Sequence, residues 1–313
     1  MKAAVITAFD APPRYGEVPE PVAHDSGHMV VDVLAVGLHH LTRAKASGRH
    51  YSSADALPLI AGADGVGRGP DGKLRYFVQG PGEMGTLAER TVIDLDHSLE
   101  LPPEGDPVAM AAGMNPAMAS WLALRCRVGF RDGMRVLVLG ATGSSGSMAV
   151  QIAHRLGASQ VIAVGRDAKR LAELKVLDAT DAVALDDPQL GTRAAEVDVV
   201  LDFLWGEQAP RIMETLLRQR SDRARPVTWV HLGSMTGESA AIPGALLRSA
   251  NLQIVGSGLG SVSTRQILEE LPALAQDIAR GALRVEARAV PLRDIESVWN
   301  DRTRERLVLI PAE

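Results

Sequence analysis

The chain of 313 residues has a single cysteine, Cys126. One thiol excludes an intrachain disulfide framework and a zinc lobe built from four cysteines, and it is typical of a reducing compartment. The chain also has no long run of charge of one sign, and its formal net charge is -5. Binding to a phosphate backbone or to a membrane surface requires a basic patch. The sequence therefore predicts neither nucleic acid nor a membrane as a partner.

Long hydrophobic runs are missing as well. A membrane-spanning helix needs about 18 apolar residues in a row, and no stretch of the sequence approaches that length. The segment MKAAVITAFDAPP has too short an apolar run for a signal peptide. With 46% hydrophobic and 23% charged residues, the composition is that of a globular protein. We therefore expect a cytoplasmic protein.

The apolar pattern divides the chain into two parts. Up to about residue 118 the apolar stretches are short and often alternate, as in MVVDVLAV (29–36) and TLAERTVI (86–93), which predicts antiparallel strands. From about Trp121, aliphatic runs alternate with helical segments, which predicts one doubly wound parallel sheet covered on both faces. The runs are VLVL (136–139), VIAV (161–164), AVAL (182–185), VDVVLDF (197–203), VTWVHL (227–232) and LQIVG (252–256).

The first of these runs leads into a glycine-rich turn, VLVLGATGSSGSMAV (136–150). A strand, a turn and a helix direct backbone N–H groups and the positive end of the helix at one point, which suits a pyrophosphate. Gly140 permits the tight turn, Gly143 lets a phosphate approach the backbone, and Gly146 allows close packing of helix on strand. The context favours a dinucleotide site over a glycine turn that merely packs. Its predicted residues also include Thr142, Ser144 and Ser145.

The second run, VIAVGRD, bears on which dinucleotide binds. An NAD enzyme carries Asp or Glu about 20 residues beyond the last glycine, where it binds the ribose 2′-hydroxyl. This sequence has Gly165 and Arg166 there, and an arginine offers a fork for a 2′-phosphate. The sequence therefore favours NADP, with Lys169 as a helper. A shift of one residue would put Asp167 at that place and favour NAD.

Two further loops follow the last two strands of the predicted sheet. Ligands of doubly wound sheets bind at the carboxyl edge, where such loops meet. We therefore expect cofactor contacts from Gly233, Ser234 and Ser257. Cys126 has no base nearby in the sequence and is predicted to be a buried structural thiol.

The order of these parts resembles the medium-chain dehydrogenase/reductase superfamily, and within it the zinc-independent quinone oxidoreductase-like proteins. The resemblance implies an α/β protein with a GroES-like β-rich catalytic domain (1–118 and 259–313) and a doubly wound parallel-sheet Rossmann domain (119–258). It also implies NAD(P)H in a cleft between the domains, and a homodimer. The matching stretches are MKAAVITAF, VDVLAVGLHH, ASGRHYSSADALPLIAGADGVG, GTLAERTVI, VLVLGATGSSGSMAVQIAHRLGA, VDVVLDF and RLVLIP.

The resemblance also raises the question of a metal. Zinc alcohol dehydrogenases of this superfamily carry a Cys near His39 and a His-Glu pair where this chain has Ala63 and Asp64. A catalytic zinc needs three protein ligands and an open position. Adjacent histidines on an extended chain point apart, so His39 and His40 are predicted to be polar residues of a loop rather than shared ligands. We expect no metal.

Catalytic residues follow from the same resemblance. Quinone oxidoreductases commonly carry Asn where His39 lies, and a Tyr in the stretch that matches GRHY, which makes Tyr51 the hydrogen-bond donor near the nicotinamide. His39 stays a second catalytic candidate despite that departure. The stretch MNPAMASW (114–121) lies where the family passes between domains, which implies contacts from Asn115 and Ser120.

The predicted function is hydride transfer from NADPH to a quinone or an enone. Such acceptors delocalise the incoming charge and need no Lewis acid. A non-catalytic NADPH-binding sensor with the same fold is the alternative, and it would bind NADPH without turnover. A short-chain reductase would carry Y-x-x-x-K, which this sequence lacks. Its tyrosines, Tyr15, Tyr51 and Tyr76, are followed four residues on by Pro19, Asp55 and Gly80.

Overall fold

The computed structural model of the chain describes residues 1–48, 56–80, 82–301, 303 and 305–311. It divides into two compact units, a first unit of Met1–Asn115 with Leu271–Glu313 and a second unit of Pro116–Glu270. The divisions therefore fall at 115/116 and 270/271, where the sequence placed them at 118/119 and 258/259. Both divisions lie inside helices, and a pattern of apolar runs does not show where one unit ends within a helix.

The elements are named in chain order. The strands are β1 (Lys2–Ile6), β2 (Arg14–Glu17), β3 (His28–Gly37), β4 (Leu59–Ile60), β5 (Asp64–Arg68), β6 (Leu74–Val78), β7 (Arg90–Asp94), β8 (Ser98–Glu100), β9 (Arg135–Leu139), β10 (Gln160–Gly165), β11 (Asp181–Ala184), β12 (Val199–Asp202), β13 (Val227–His231), β14 (Leu252–Gly256), β15 (Ala287–Pro291) and β16 (Arg306–Ile310). The helices are α1 (His40–Ala46), α2 (Pro107–Leu122), α3 (Ser144–Arg155), α4 (Ala168–Leu174), α5 (Leu190–Arg193), α6 (Gln208–Gln219), α7 (Gly244–Ser249), α8 (Thr264–Ala279) and α9 (Ile295–Val298).

The first unit contains two sheets. A small antiparallel sheet has the order β2-β1-β4, and a larger one has the order β15-β16-β3-β5-β6-β8 with β7 also paired to β3. β16 lies antiparallel to β3, with Leu309 opposite Val36. Both residues belong to one hydrophobic core with Ile6, Ile93 and Ile295, so segments from both ends of the chain share that core.

One detail of the first unit differs from the sequence prediction, and another was not predicted. The stretch at 86–93 is not one strand, because only its last residues belong to β7. Before it, Leu87 and Ala88 pair with Ala61 and β1 instead. The larger sheet also contains a parallel pair, β15 and β16, from a later part of the chain for which no strand direction was predicted.

The second unit confirms the predicted doubly wound sheet. Its parallel strands have the order β11-β10-β9-β12-β13-β14 among the described residues. Val136, Leu137, Val138 and Leu139 are all 0% exposed, which explains why β9 is aliphatic at every position after Arg135. The strand order reverses between β9 and β12, and ligands of such sheets bind at that point.

Two smaller findings complete the fold. Within the residues that the structure describes, no helix is long and apolar enough to cross a membrane. Cys126 is half-buried, so the prediction of a buried thiol is wrong. It lies in a π-helical turn after α2, Ala123–Arg127, in which Ala123 and Leu124 take the buried positions.

Candidate functional site

The glycine turn joins β9 to α3, and two of its glycines are required by the fold. Gly140 has φ +85°, a left-handed conformation that side chains rarely adopt. A Cβ at Gly146 would lie 2.2 Å from the carbonyl oxygen of Gly140, so no side chain fits. These two positions make the turn tight and bring α3 against β9, as the sequence predicted.

Gly143 is different, because nothing inside the protein requires a glycine there. A Cβ at Gly143 would meet the Gly140 oxygen at 3.5 Å, an ordinary contact, and its φ of -82° suits any residue. No side chain caps α3 at Gly143, and the first turn of that helix carries no acid. The open space beside Gly143 and the uncapped N–H groups fit an anionic pyrophosphate. Thr142, Ser144 and Ser145 lie in the same turn and would hold it through their backbone.

The end of β10 adjoins this turn. A Cβ at Gly165 would lie 2.5 Å from Cγ2 of Thr142, so glycine permits the two segments to meet. Arg166 and Lys169 are exposed, and no carboxylate of the described residues pairs with either. The Asp167 side chain is already engaged, because it accepts the N–H of Arg170 at 3.1 Å and caps α4. This geometry favours Arg166 over Asp167 as the group that meets the ribose.

The loops after β12 and β13 lie beside the glycine turn. A Cβ at Gly140 would be 3.3 Å from Cβ of Phe203, and one at Gly233 would be 3.3 Å from the Phe203 oxygen. Ser234 is next to Gly233, and its Oγ is 3.3 Å from Nε2 of His231. Ser257 follows β14, which β12 and β13 separate from β9. Three strand spacings put it about 14 Å to the side, so the structure does not bring Ser257 to the turn.

The first unit contains a buried polar network that the sequence did not predict. His39 and Asp64 are 3% and 1% exposed, and His39 Nε2 lies 2.7 Å from Oδ1 of Asp64. The Tyr76 hydroxyl donates to Oδ2 of the same carboxylate at 2.6 Å. The N–H of Thr42 donates to His39 Nδ1 at 3.3 Å, so Nδ1 is the acceptor and Nε2 carries the proton. Both ring nitrogens of His39 are therefore engaged within the protein.

These contacts correct the prediction for His39 and His40. His39 lies in the short loop between β3 and α1 as predicted, but it is buried there and caps α1, whereas His40 is the first residue of that helix. The Thr42 N–H that the His39 side chain accepts belongs to the first turn of α1, where such N–H groups have no partner within the helix. The signal in the sequence was Asp64, a charged residue in the otherwise apolar stretch GADGVG, which begins β5. A buried carboxylate requires partners, and these come from other elements.

Charged and polar groups surround the network. Burial, and then Asp64, raise the pKa of Tyr76 well above its usual value, while a hydrogen bond from Asn115 opposes the shift. Burial lowers the pKa of Arg306 to about 10 although Asp64 counteracts it, so the guanidinium stays charged at neutral pH. Its Nε is buried and has no hydrogen-bond partner among the described residues.

The remaining predicted residues have the following places. Asn115 belongs to the first unit, where it contacts Tyr76. Ser120 is fully buried and donates to the Ala117 oxygen of its own helix, so it is not available to a ligand. Tyr51 lies outside the described residues.

Known proteins resemble the chain, two of them over almost its whole length. A protein of Emericella nidulans named "Probable NADPH-dependent quinone reductase tdiC" is 31% identical over 99% of this chain and 100% of its own. The quinone oxidoreductase of Thermus thermophilus, solved with NADPH, is 27% identical with a TM-score of 0.84 over 99% of this chain and 100% of its own. A 2-methylene-furan-3-one reductase of Solanum lycopersicum is 28% identical over 59% of this chain and 52% of its own length. Residues 146–277 match a family described as zinc-binding dehydrogenase.

Together the fold and the chain-long identity define a dehydrogenase/reductase of two units. The chain belongs to the quinone oxidoreductase-like family of the medium-chain dehydrogenase/reductase superfamily. The resemblance inferred from the sequence motifs is thereby confirmed, and so is the predicted fold class.

The description of the matching family raises the question of zinc. A catalytic zinc needs three free protein ligands. In this chain Ala63 has no ligand atom, and both oxygens of Asp64 and both nitrogens of His39 are bound to protein groups. The residues present at this place do not fit a zinc ion.

Proposed function

We propose that this protein is an NADPH-dependent reductase that transfers a hydride to a quinone or to an enone. The observation that carries the proposal is the chain-long identity to a relative named as an NADPH-dependent quinone reductase. The glycine turn supports it independently, because the space beside Gly143 fits a pyrophosphate. A relative named as a reductase of a methylene-furanone extends the acceptors to enones.

The second unit would hold NADPH through two groups of residues. The backbone of Thr142–Gly146 would bind the pyrophosphate, because its N–H groups and the positive end of α3 point to one place. Arg166 would bind the 2′-phosphate with its planar fork, with Lys169 adding charge. The capping role of Asp167 supports NADP over NAD, since its carboxylate is engaged.

Bound NADPH supplies the hydride. A quinone or an enone spreads the incoming charge over its conjugated system, so no metal is needed to polarise a carbonyl. Orientation of the acceptor then provides most of the rate enhancement. We propose that the network of His39, Asp64 and Tyr76 fixes the backbone of α1 and β5 for this purpose. His39 is accordingly a positioning residue, since it has no free donor.

Tyr51 stays the predicted donor to the acceptor oxygen. Negative charge develops on that oxygen during transfer, and one preorganised donor is worth about a hundredfold in rate. Tyr51→Phe should therefore lower kcat by about that factor with NADPH binding unchanged. If the variant turns over as fast as wild type, Tyr51 only lines the pocket and does not donate to the acceptor.

The experiment that tests the function is a screen of NADPH oxidation against quinones, enones, aldehydes and simple alcohols. We expect turnover with conjugated acceptors and none with unconjugated carbonyls or alcohols. Tight NADPH binding without turnover on any acceptor would favour the sensor instead. Absence of NADPH binding would contradict both. A homodimer and a cytoplasmic location remain predictions, and analytical ultracentrifugation tests the first.

A further inference from the structure

The first unit contains a cavity of about 590 Å³. Small-molecule sites commonly have volumes of about 300–1,000 Å³. The walls of the cavity come from β1 and β4, which pair with Val5 opposite Ile60, from the end of α1, and from residues 79, 80 and 82–85 after β6. All of the described residues that line it belong to the first unit, so this unit forms the cavity without the second.

Most of the cavity wall is apolar. Five half-buried apolar side chains line it, namely Val5, Val18, Leu59, Ile60 and Met84. Such a wall binds the hydrocarbon or aromatic body of a ligand through the hydrophobic effect, while a few polar groups determine which ligand is selected. The polar groups of this wall therefore decide what the cavity binds.

One cation lies among the described residues of the wall. Lys45 is half-buried near the end of α1, and its Nζ donates to the main-chain oxygen of Gln79 at 3.0 Å. No carboxylate of the described residues pairs with Lys45. An ammonium carries three donors, and Gln79 accepts one of them. The cavity therefore presents a cation that has no counter-ion.

The acidic groups of the wall are engaged elsewhere. Glu20 accepts a hydrogen bond from Arg90 at 2.7 Å, and Glu83 accepts a main-chain N–H of its own loop. Burial lowers the pKa of Lys45, although the charges of Asp64 and Glu83 oppose that shift. A cation that has lost part of its hydration is stabilised by an anionic partner. A ligand with a negative charge can supply that partner.

We propose that this cavity binds a small apolar anion, whose hydrocarbon or aromatic body lies against the apolar wall and whose carboxylate, sulfonate or phosphate pairs with Lys45. The anion is either part of the acceptor or a separate ligand, and both sources share this chemistry. The proposal goes beyond the proposed function, because binding of the anion needs no hydride transfer.

The test compares two fluorescent probes that share one apolar body. Anilinonaphthalene sulfonate carries a negative charge, and N-phenylnaphthylamine does not. Both are titrated against the full chain with excess NADPH, so that the dinucleotide site is filled. Lys45→Met removes the charge and keeps an apolar stem. We expect this variant to bind the sulfonate about tenfold more weakly, because a charge-assisted hydrogen bond is lost, and to bind the uncharged probe within about twofold of wild type.

Lys73→Met is the matched control. Lys73 belongs to the same unit and donates to Glu100 at 2.7 Å, and it does not line the cavity. This variant should keep the affinity for both probes. An unchanged affinity of Lys45→Met for the sulfonate would overturn the proposal, and so would equal losses for the two probes. If Lys45→Met does not fold, Lys45→Gln should show the loss confined to the sulfonate and Lys45→Arg should restore binding, and no difference between these two variants would again overturn it.

Kinetics with two acceptors distinguish the sources of the anion. If the anionic group belongs to the acceptor, Lys45→Met should raise KM for naphthoquinone sulfonate and not for uncharged naphthoquinone, and the sulfonate probe should compete with the charged quinone. If the anion is a separate ligand, KM for both quinones should stay unchanged while the probe still loses affinity. Absence of turnover on either quinone by the wild type would count against the proposed function and leave the binding result intact.

Discussion

At the scale of single residues, one carboxylate organises the polar centre of the first unit. Asp64 accepts hydrogen bonds from His39 and Tyr76, and its main-chain oxygen accepts the Thr86 hydroxyl at 2.6 Å. A buried charge is costly unless it is paired and hydrogen-bonded. The network of His39, Asp64 and Tyr76 is therefore stable only while all three side chains are present.

Asp64→Asn should destabilise the protein strongly. The amide offers a donor where two donors already point, and it leaves the charge of Arg306 uncompensated. We expect the free energy of unfolding of the first unit to fall by about 3–5 kcal/mol, measured by urea unfolding. Tyr76→Phe removes a single hydrogen bond to the carboxylate and should cost about 1.5–3 kcal/mol. Equal losses in the two variants would show that the negative charge itself is not needed.

Arg166→Ala tests the choice of cofactor. Removal of a charge-assisted hydrogen bond costs about 1.5–3 kcal/mol, which corresponds to a loss of about tenfold or more in NADPH affinity. NADH lacks the 2′-phosphate, so its affinity should not change. Titration of both cofactors checks this prediction. Lys169→Ala should lower the affinity for NADPH by a smaller factor and serves as the comparison. Equal losses for NADPH and NADH would assign Arg166 a structural role.

At the scale of the element, the glycine turn combines two glycines that the fold needs with one that it does not. Gly140 is required by its left-handed backbone conformation, and Gly146 is required by the close packing of α3 on the turn. Neither requirement applies to Gly143, so we infer that glycine is present there to leave room for a ligand.

Gly143→Ala and Gly146→Ala should therefore differ in what they damage. The added methyl at 143 meets no neighbour closer than 3.5 Å, so the protein should fold normally. Its stability should fall by no more than about 1 kcal/mol, because Gly143 precedes α3 as its N-cap and alanine is a poorer residue there. Its affinity for NADPH should fall, because the methyl fills the space of the phosphate. Gly146→Ala should lower the free energy of unfolding by about 1–3 kcal/mol through overpacking. Thermal unfolding and calorimetry measure the two effects, and normal NADPH binding by Gly143→Ala would contradict the assignment.

The same element shows what the sequence could and could not predict. A strand, three glycines and an amphipathic helix are local signals, so the turn and the parallel sheet followed from the sequence. The partners of Asp64 are 25 and 12 residues away on other elements, and no local pattern pairs them. Contacts that depend on tertiary packing were therefore missed.

At the scale of the whole molecule, each unit has a hydrophobic core of its own among the described residues. The first core includes residues of β1, β3 and β16, and the second lies wholly between Leu137 and Ile254. Leu309→Asp would place a charge at a position that is 0% exposed in the first core. We expect amide hydrogen exchange to accelerate in β3, β5 and β16, while β9 and β12 keep their protection. Uniform loss of protection in both units would show that they unfold together.

The pairing of β16 with β3 has a consequence for synthesis on the ribosome. The second unit is a continuous segment, so all of it can leave the exit tunnel and fold while the first unit still lacks its closing strand. Val36 and Gly37 must wait for Val308 and Leu309, and at translation rates of about 5–20 residues per second that delay is roughly 10–50 s. Throughout that delay the end of β3 has no partner strand at Val36 and Gly37, and an exposed strand edge of this kind can pair with a second nascent chain. Early binding of a chaperone would protect that edge. We expect to find the chaperone on ribosome-bound chains that are stalled before residue 306.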